Sequence, residues 1–153
     1  MLTDELDARE ITADVSRDVR DVLTTLDALA GVLSQGTLRY QYLAVKEDVL
    51  ALHRRLESRR EAMEDETEVL RDTVYREPMR DPLDARDTTP FALIAVLEKR
   101  TATLVDSCED MASRCAHRET TALMVYASRV LFGVKTKLLT DLALHERFHD
   151  YGD

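Results

Sequence analysis

The sequence predicts an all-α protein, an antiparallel four-helix bundle, and three observations support this prediction. Apolar residues recur at steps of three and four along most of the chain, which is the period of one buried helix face. The chain has only four glycines and three prolines, so long stretches are free of helix breakers. Aromatic residues make up 5% of the chain and tryptophan is absent, which gives a β-sandwich or barrel little support.

The first helix is expected over about residues 3–34. Thr3 followed by Asp4 and Glu5 is typical of a helix start, and Gly36 is a residue type that terminates helices. The apolar stripe of this helix comprises Ile11, Val15, Val19, Val22, Leu26, Leu29 and Leu33.

The second helix is expected over about residues 37–74, with a weaker pattern in its later half. A basic patch that begins at His53 and includes Arg54 and Arg55 precedes an acidic run at residues 61–68. Such charge blocks support helix pairing or solubility, so this half is either a solvated overhang or a helix that faces a partner. The stripe comprises Leu38, Tyr42, Val45, Val49, Leu52, Leu56, Met63, Leu70 and Val74.

Residues 75–89 form the long connection, because they contain two prolines and no apolar stripe. At about 3.3 Å per residue such a segment spans roughly 50 Å. That length allows a crossover along the whole bundle, which would leave the second and third helices parallel. An up-down-up-down bundle with a long middle loop is the alternative, and the crossover is favoured.

The third helix is expected over about residues 90–116 and the fourth over about 119–150. Thr89 caps the third helix, and Pro90 occupies its first position, where a missing N–H costs nothing. Gly133 lowers the helix propensity of the fourth helix and is expected to mark a close helix contact. The two stripes comprise Ile94, Leu97, Thr101, Leu104, Cys108, Met111 and Cys115, then Leu123, Ala127, Leu131, Val134, Leu138, Leu142 and His145.

Length and charge limit the classes of protein. A chain of 153 residues suits one domain, expected over residues 1–153. With 21 basic and 30 acidic side chains the net charge is −9, which argues against nucleic-acid binding. No apolar run is long enough to cross a membrane, and the acidic N-terminus is unlike a secretory signal. The expected location is the cytoplasm.

Two phrases of the sequence suggest a family. Tyr42-Leu-Ala-Val-Lys-Glu-Asp-Val-Leu50 and Leu93-Ile-Ala-Val-Leu-Glu-Lys99 read like the second and third helices of the ferritin-like superfamily, in particular its rubrerythrin-type branch. The layout of two helical hairpins joined by a crossover also resembles that family. The resemblance implies a ferritin-like bundle.

The resemblance also implies a di-iron site of inward carboxylates, with one Glu from each of two helices and a Glu-x-x-His from each of the others. The matching positions here are Asp18, Glu47 and Glu98. Leu50 stands where a histidine would follow Glu47, and the fourth helix has no carboxylate between Glu119 and Asp141. The expectation is therefore a member that lost the central site, with ordinary flanking charges as the alternative interpretation of these carboxylates.

His145, Glu146 and His149 match the HExxH pattern, in which two histidines on one helix face hold zinc. A protease would also need a third ligand and a substrate-binding strand, and the sequence predicts neither. Two interpretations stay open. Glu146 and His149 form a displaced metal half-site, or the histidines suit the C-terminal dipole of a polar helix end.

Cys108 and Cys115 lie two turns apart on one helix face, about 10 Å by helix rise, which is too far for a mutual disulfide. They are expected to be reduced, small apolar core residues. The alternatives are a thiol cluster with His117 and an alignment of thiols across an interface.

The predicted function is a non-catalytic interaction or assembly module that forms a homodimer or binds a protein partner through its long helices. No cofactor is expected, although iron or zinc is possible. A metal-binding ferritin-like protein that acts on iron, peroxide or oxygen is the first alternative. A regulatory or sensory helical bundle with an internal apolar pocket is the second.

Overall fold

The computed structural model describes residues 8–33, 36–64, 89–115 and 117–152, with the backbone alone for Glu64 and residues 146–152. Four helices occupy this part of the chain: α1 (Ala8–Val32), α2 (Thr37–Glu64), α3 (Pro90–Arg114) and α4 (Arg118–Gly152). The described residues contain no strand. The predicted all-α four-helix bundle is therefore confirmed.

The predicted stripes form the core. One apolar cluster takes buried residues from all four helices, and it includes most of the described members of each stripe. Thr101, a polar residue in the stripe of α3, is fully buried. Its hydroxyl donates a 2.7 Å hydrogen bond to the carbonyl oxygen of Leu97. A buried hydroxyl is tolerated when its hydrogen bond is made within the same helix.

The start of α3 also follows the prediction. Thr89 precedes the helix in an extended conformation, and its side-chain oxygen accepts a 3.2 Å hydrogen bond from the backbone N–H of Ala92. Pro90 occupies the first helical position. The helix ends at Cys115, whose backbone N–H bonds to the carbonyl oxygen of Met111.

Helices α1 and α2 form an antiparallel hairpin. The Lys46 ammonium, in the first half of α2, lies 2.6 Å from the carboxylate of Asp27, in the last turns of α1. Farther along α2, the carboxylate of Glu57 accepts a hydrogen bond from the Ser16 hydroxyl. The two contacts therefore pair the end of α1 with the start of α2, and the start of α1 with the later part of α2.

Helices α2 and α4 are also antiparallel neighbours. Tyr42 near the start of α2 bonds to Asp141 late in α4, whereas Met63 at the end of α2 lies 3.8 Å from the Thr120 hydroxyl at the start of α4. The remaining packed pairs are α3 with α4 and α1 with α3. Helices α3 and α4 are antiparallel, since Phe91 at the start of α3 contacts His145 late in α4.

These directions leave α2 and α3 parallel, at opposite corners of the bundle. The end of α2 and the start of α3 therefore lie at opposite ends of the bundle, which agrees with the expected parallel arrangement of these two helices. Residues 65–88, which contain most of the predicted crossover and the end of the predicted second helix, lie outside the described residues. Residues 3–7 of the predicted first helix also lie outside them.

None of the helices in the described ranges is both long enough and apolar enough to span a membrane.

Candidate functional site: the seam between helices α2 and α4

Asp18, a predicted metal ligand, is buried in α1 with 1% of its surface exposed. The guanidinium of Arg17 lies 3.8 Å from its carboxylate. Burial, followed by the nearby charge of Asp18, raises the pKa of Asp21, while the Arg100 guanidinium on α3 opposes that increase. Asp18 therefore belongs to a mixed group of charges between α1 and α3.

The other predicted carboxylate ligands are placed differently. Glu47 is exposed on α2, and Glu98 is half-buried on α3. His145 is half-buried, and its ring stacks on Phe91 with 3.6 Å between the ring centroids. This contact packs the start of α3 against the last turns of α4.

The predicted metal site is not assembled in the described part of the chain. Among those residues, no three His, Cys, Asp or Glu side chains are close enough to hold a metal ion. Glu146 and His149 belong to α4, but their side chains lie outside the described part, so the full ligand set stays a prediction. Cys108 is buried and Cys115 is half-buried, and neither forms a disulfide within the described residues.

A buried polar anchor joins the start of α2 to the later part of α4. The Tyr42 hydroxyl donates a 2.6 Å hydrogen bond to one carboxylate oxygen of Asp141. Lys137 pairs with the same carboxylate at 3.1 Å, bonds to Gln41, and lies over the Tyr42 ring. Burial, followed by the hydrogen bond to Asp141, raises the pKa of Tyr42. The phenol is therefore a neutral donor and not a base.

This anchor was missed by the sequence analysis, although a signal was present. Asp141 lies three residues after Leu138 and one before Leu142, so it falls within the apolar stripe of α4. A carboxylate in such a stripe indicates a buried partner, because a buried charge must be paired. Tyr42 lies on the stripe of α2 and supplies that partner.

A second polar contact joins the end of α2 to the start of α4. The Arg59 guanidinium lies 2.8 Å from the carboxylate of Glu119 and within 3.3 Å of both ring nitrogens of His117. The Arg59 side chain is only 12% exposed. Together with the Met63–Thr120 contact, this group closes the other end of the seam.

Surface grooves lie along the seam beside these contacts. Two grooves lie side by side along it, one of about 370 Å³ at Val45, Asp48 and Ala51 of α2, and one of about 460 Å³ at Arg55, Ser58 and Ala62. Arg55 of α2 crosses the seam, with its guanidinium 4.2 Å from the centre of the Tyr126 ring. The α4 residues that line the grooves are Glu119, Ala122, Leu123, Tyr126, Arg129, Val130, Gly133 and Val134.

Gly133 corrects one sequence-based expectation. A Cβ atom added at this position would meet nothing within 4 Å, so the glycine does not mark a close helix contact. Gly133 instead lines the groove. The missing side chain leaves room in the seam, which is the opposite of tight packing.

The surface of α2 beside this seam carries both acidic and basic residues that form no ion pairs with the described residues. Glu47, Asp48, Arg54 and Arg55 are all exposed, and none has an ion-pair partner within the described ranges. We call this surface the α2 face. Its members are Ala44, Glu47, Asp48, Ala51, Arg54, Arg55, Ser58 and Ala62.

A separate apolar stripe lies on the outer side of α4. Val125, Phe132 and Leu139 recur every seven residues and are 36%, 55% and 45% exposed. Lys135 lies over the Phe132 ring at 5.8 Å. We call these three residues the α4 stripe. Exposed apolar groups at heptad spacing are typical of helix-packing surfaces.

The carboxylate of Glu57 and the hydroxyl of Ser16 lie between α1 and α2, where they could be taken for a base and a nucleophile. Hydrogen bonds from Arg60 and Ser16 lower the pKa of Glu57 to about 2. A carboxylate with so low a pKa is a weak base, so it does not activate the Ser16 hydroxyl as a nucleophile. The group serves as a helix-to-helix contact.

Comparisons with protein-family models, with curated proteins and with solved structures find no match for this chain. Several polar groups of the described residues join helices to one another, and the grooves lie along the seam between α2 and α4. An open groove bordered by exposed, unpaired charges is suited to contact with another helix.

Proposed function

We propose that this protein is a non-catalytic interaction or assembly module that forms a homodimer through its long helices. The observation that carries the proposal is the open seam between α2 and α4. Polar contacts join the two helices near both ends of the seam, and grooves of about 370 and 460 Å³ lie along it. The exposed α2 face borders these grooves and supplies the contact surface.

The size of the helices supports this proposal. Helix α2 has 28 residues, which corresponds to about 42 Å of helix. Stable protein interfaces bury about 1,200–2,000 Å² in total, so a contact along most of such a helix, with the adjoining grooves, approaches the required area. The exposed α4 stripe is a further surface of the same kind.

Sedimentation equilibrium over a wide range of protein concentration tests the proposal. The mass is expected to rise from one chain of 17.4 kDa towards twice that value as the concentration increases. A mass that stays at one chain at every concentration would overturn the proposed homodimer.

A ferritin-like origin is also part of the proposal. It is supported by the parallel α2 and α3 at opposite corners, since ferritin-like bundles contain one long crossover. Elemental analysis of protein purified without chelators separates the module from a metal-binding relative. A content of about one iron or more per chain would favour an iron protein over the interaction module. Its ligands would then be sought among Asp18, Glu47, Glu98, His145, Glu146 and His149.

A further inference from the structure

The charges of the α2 face form a pattern that is complementary to itself. Glu47 and Asp48 lie one turn before Ala51, and Arg54 and Arg55 lie one turn after it. The acidic and basic halves are therefore mirror images about Ala51 along the helix. All five residues are exposed.

The four charges differ from the other interhelical charges of α2. Lys46 pairs with Asp27 on α1, and Arg59 pairs with Glu119 on α4. The charges of the α2 face have no such partner among the described residues. Intramolecular ion pairing therefore does not account for their arrangement, although the Arg55 guanidinium also stacks on the Tyr126 ring of α4.

We propose that α2 packs antiparallel against α2 of a second copy, with the two-fold axis beside Ala51. This inference rests on the proposed homodimer and assigns its contact surface, direction and register. In a two-fold interface, a residue i of one copy meets j of the other, and j meets i. A surface that is complementary to itself is what such an interface requires.

The helical period divides the four charges between two sides of the contact. Asp48 and Arg55 lie on the side of the grooves, which both of them line. Glu47 and Arg54 lie on the other side of Ala51, at about 100° per residue. An antiparallel two-fold pair brings the same side of the two helices together, as in antiparallel coiled coils.

This geometry produces opposite-charge pairs on both sides. Asp48 faces Arg55 of the second copy, and Glu47 faces Arg54 of the second copy. Two-fold symmetry repeats each pair, so all eight charges are matched. Parallel helices in register would instead place Asp48 against Glu47 of the second copy and Arg54 against Arg55, and these like-charge contacts are unfavourable.

The centre of the contact is lined by small residues. Ala44, Ala51 and Ser58 recur every seven residues and are exposed. The distance between packed helices depends on the side chains at the contact, and small ones permit a short distance. The close approach supplies the packing, while the ion pairs, each worth up to about 1 kcal/mol, select direction and register.

The α4 stripe fits a second copy less well. Helix α4 carries the exposed Arg118 and Arg129 and the half-buried Lys135. Its described acidic residues, Glu119 and Asp141, are both paired within the chain. A symmetric contact between two α4 helices would therefore bring like charges together. The charges of α2 are matched in a symmetric contact, and those of α4 are not.

Charge exchange tests the pairing. The variants Glu47→Arg/Asp48→Arg and Arg54→Glu/Arg55→Glu each place like charges across the contact. Each is expected to raise the dissociation constant of the homodimer at least about tenfold, equivalent to about 1.4 kcal/mol. An equimolar mixture of the two is expected to form a heterodimer, and the fourfold variant that carries all these substitutions is expected to dimerise again.

The control for Glu47→Arg/Asp48→Arg is Asp106→Arg/Glu109→Arg, which changes the net charge by the same amount at exposed positions of α3. It is expected to leave the dissociation constant within about threefold of the original, since surface charges away from the contact act weakly. Circular dichroism checks that every variant retains its helix content. Loss of dimer in the control as well would overturn the pairing, because net charge alone would then explain the effect.

Cysteine cross-linking tests the direction in a Cys115→Ser background. Ala51→Cys is expected to form a disulfide between two copies, because the two-fold axis passes beside it. Ala44→Cys is the matched control, since antiparallel helices place its two copies about 20 Å apart. Cross-linking of both variants would indicate parallel helices and overturn the inference.

The outcomes separate the two proposals. If the original chain dimerises and the charge variants dimerise equally well, the α2 register is wrong while the homodimer stands. The same holds if Phe132→Lys, on the α4 stripe, is the substitution that abolishes the dimer. If the original chain is a monomer at every concentration, the proposed homodimer fails, and the α2 contact fails with it.

Discussion

The Tyr42 hydroxyl donates a 2.6 Å hydrogen bond to the Asp141 carboxylate, and both residues are buried although 99 positions separate them in the chain. The contact fixes the start of α2 against the later part of α4. It is one of two polar contacts that hold the ends of the seam, while the middle of the seam stays open. Its removal should therefore affect stability more than the loss of an exposed hydroxyl would.

Tyr42→Phe is expected to lower the free energy of unfolding by about 1–3 kcal/mol, because the buried carboxylate of Asp141 loses a donor. Urea denaturation followed by circular dichroism measures the change. Tyr40→Phe is the matched control, since Tyr40 is 72% exposed and its substitution should cost no more than about 0.5 kcal/mol. Equal effects of the two substitutions would show that the hydrogen bond does not stabilise the fold.

Glu57 should make stability depend on pH in the acid range. The pKa of Glu57 in the folded chain is about 2, against an ordinary value of 4.5, because Arg60 and Ser16 hydrogen-bond its charged form. Protonation therefore favours the unfolded chain. The stabilising contribution is complete above pH 4.5 and is lost as the pH falls from 4.5 towards 2.

The measurement is the urea midpoint at a series of pH values through this window. Glu57→Gln is expected to flatten the slope, since its side chain does not titrate. Glu61→Gln, at an exposed position of the same helix, is expected to retain the slope of the original chain. An unchanged slope in Glu57→Gln would assign the acid sensitivity to other carboxyl groups.

Adjacent leucines on α4 provide a direct test of the core. Leu138 is fully buried, whereas Leu139 is 45% exposed. Leu138→Ala is expected to cost about 2–5 kcal/mol through lost transfer energy and the cavity left behind. Leu139→Ala is expected to change the stability of the monomer by no more than about 0.5 kcal/mol.

Thermal and urea unfolding at a low protein concentration measure both variants without a contribution from self-association. Similar costs for the two substitutions would mean that α4 is rotated about its axis relative to the arrangement described. A large cost for Leu139→Ala alone would have the same meaning.

The cap of α3 should contribute measurably. Thr89→Ala removes the oxygen that accepts from the Ala92 N–H and is expected to cost about 1 kcal/mol. Thr89→Ser keeps an acceptor and should restore most of that stability. Unfolding midpoints of the two variants provide the comparison, and an equally large loss in Thr89→Ser would contradict a capping role.

The apolar stripes explain why so much of the fold was predictable. A buried helix face needs an apolar side chain every three or four residues, so the pattern involves only residues that are close together in the sequence. Val15, Leu97 and Leu131 satisfy it and are buried as predicted. The cap at Thr89 was predictable for the same reason, since its partner lies only three residues away.

The seam between α2 and α4 was not predictable in this way. Gly133 looked like a site of close packing, but the structure places it beside open space. Of the charges on the α2 face, Arg54 and Arg55 were visible in the sequence as part of a basic patch, and Glu47 was visible as a candidate metal ligand. Their exposure and their lack of ion-pair partners among the described residues depend on how α2 is placed relative to α4.

Local periodicity was thus enough to define an all-α chain with four apolar helix faces, because each face is encoded by residues within a few turns of one another. The pairing of Tyr42 with Asp141, the burial of Asp18 and the open grooves beside Asp48 required the folded arrangement. These features depend on the rotation and the axial position of whole helices. Both are set by the packing of the complete core, to which residues far apart in the chain contribute together.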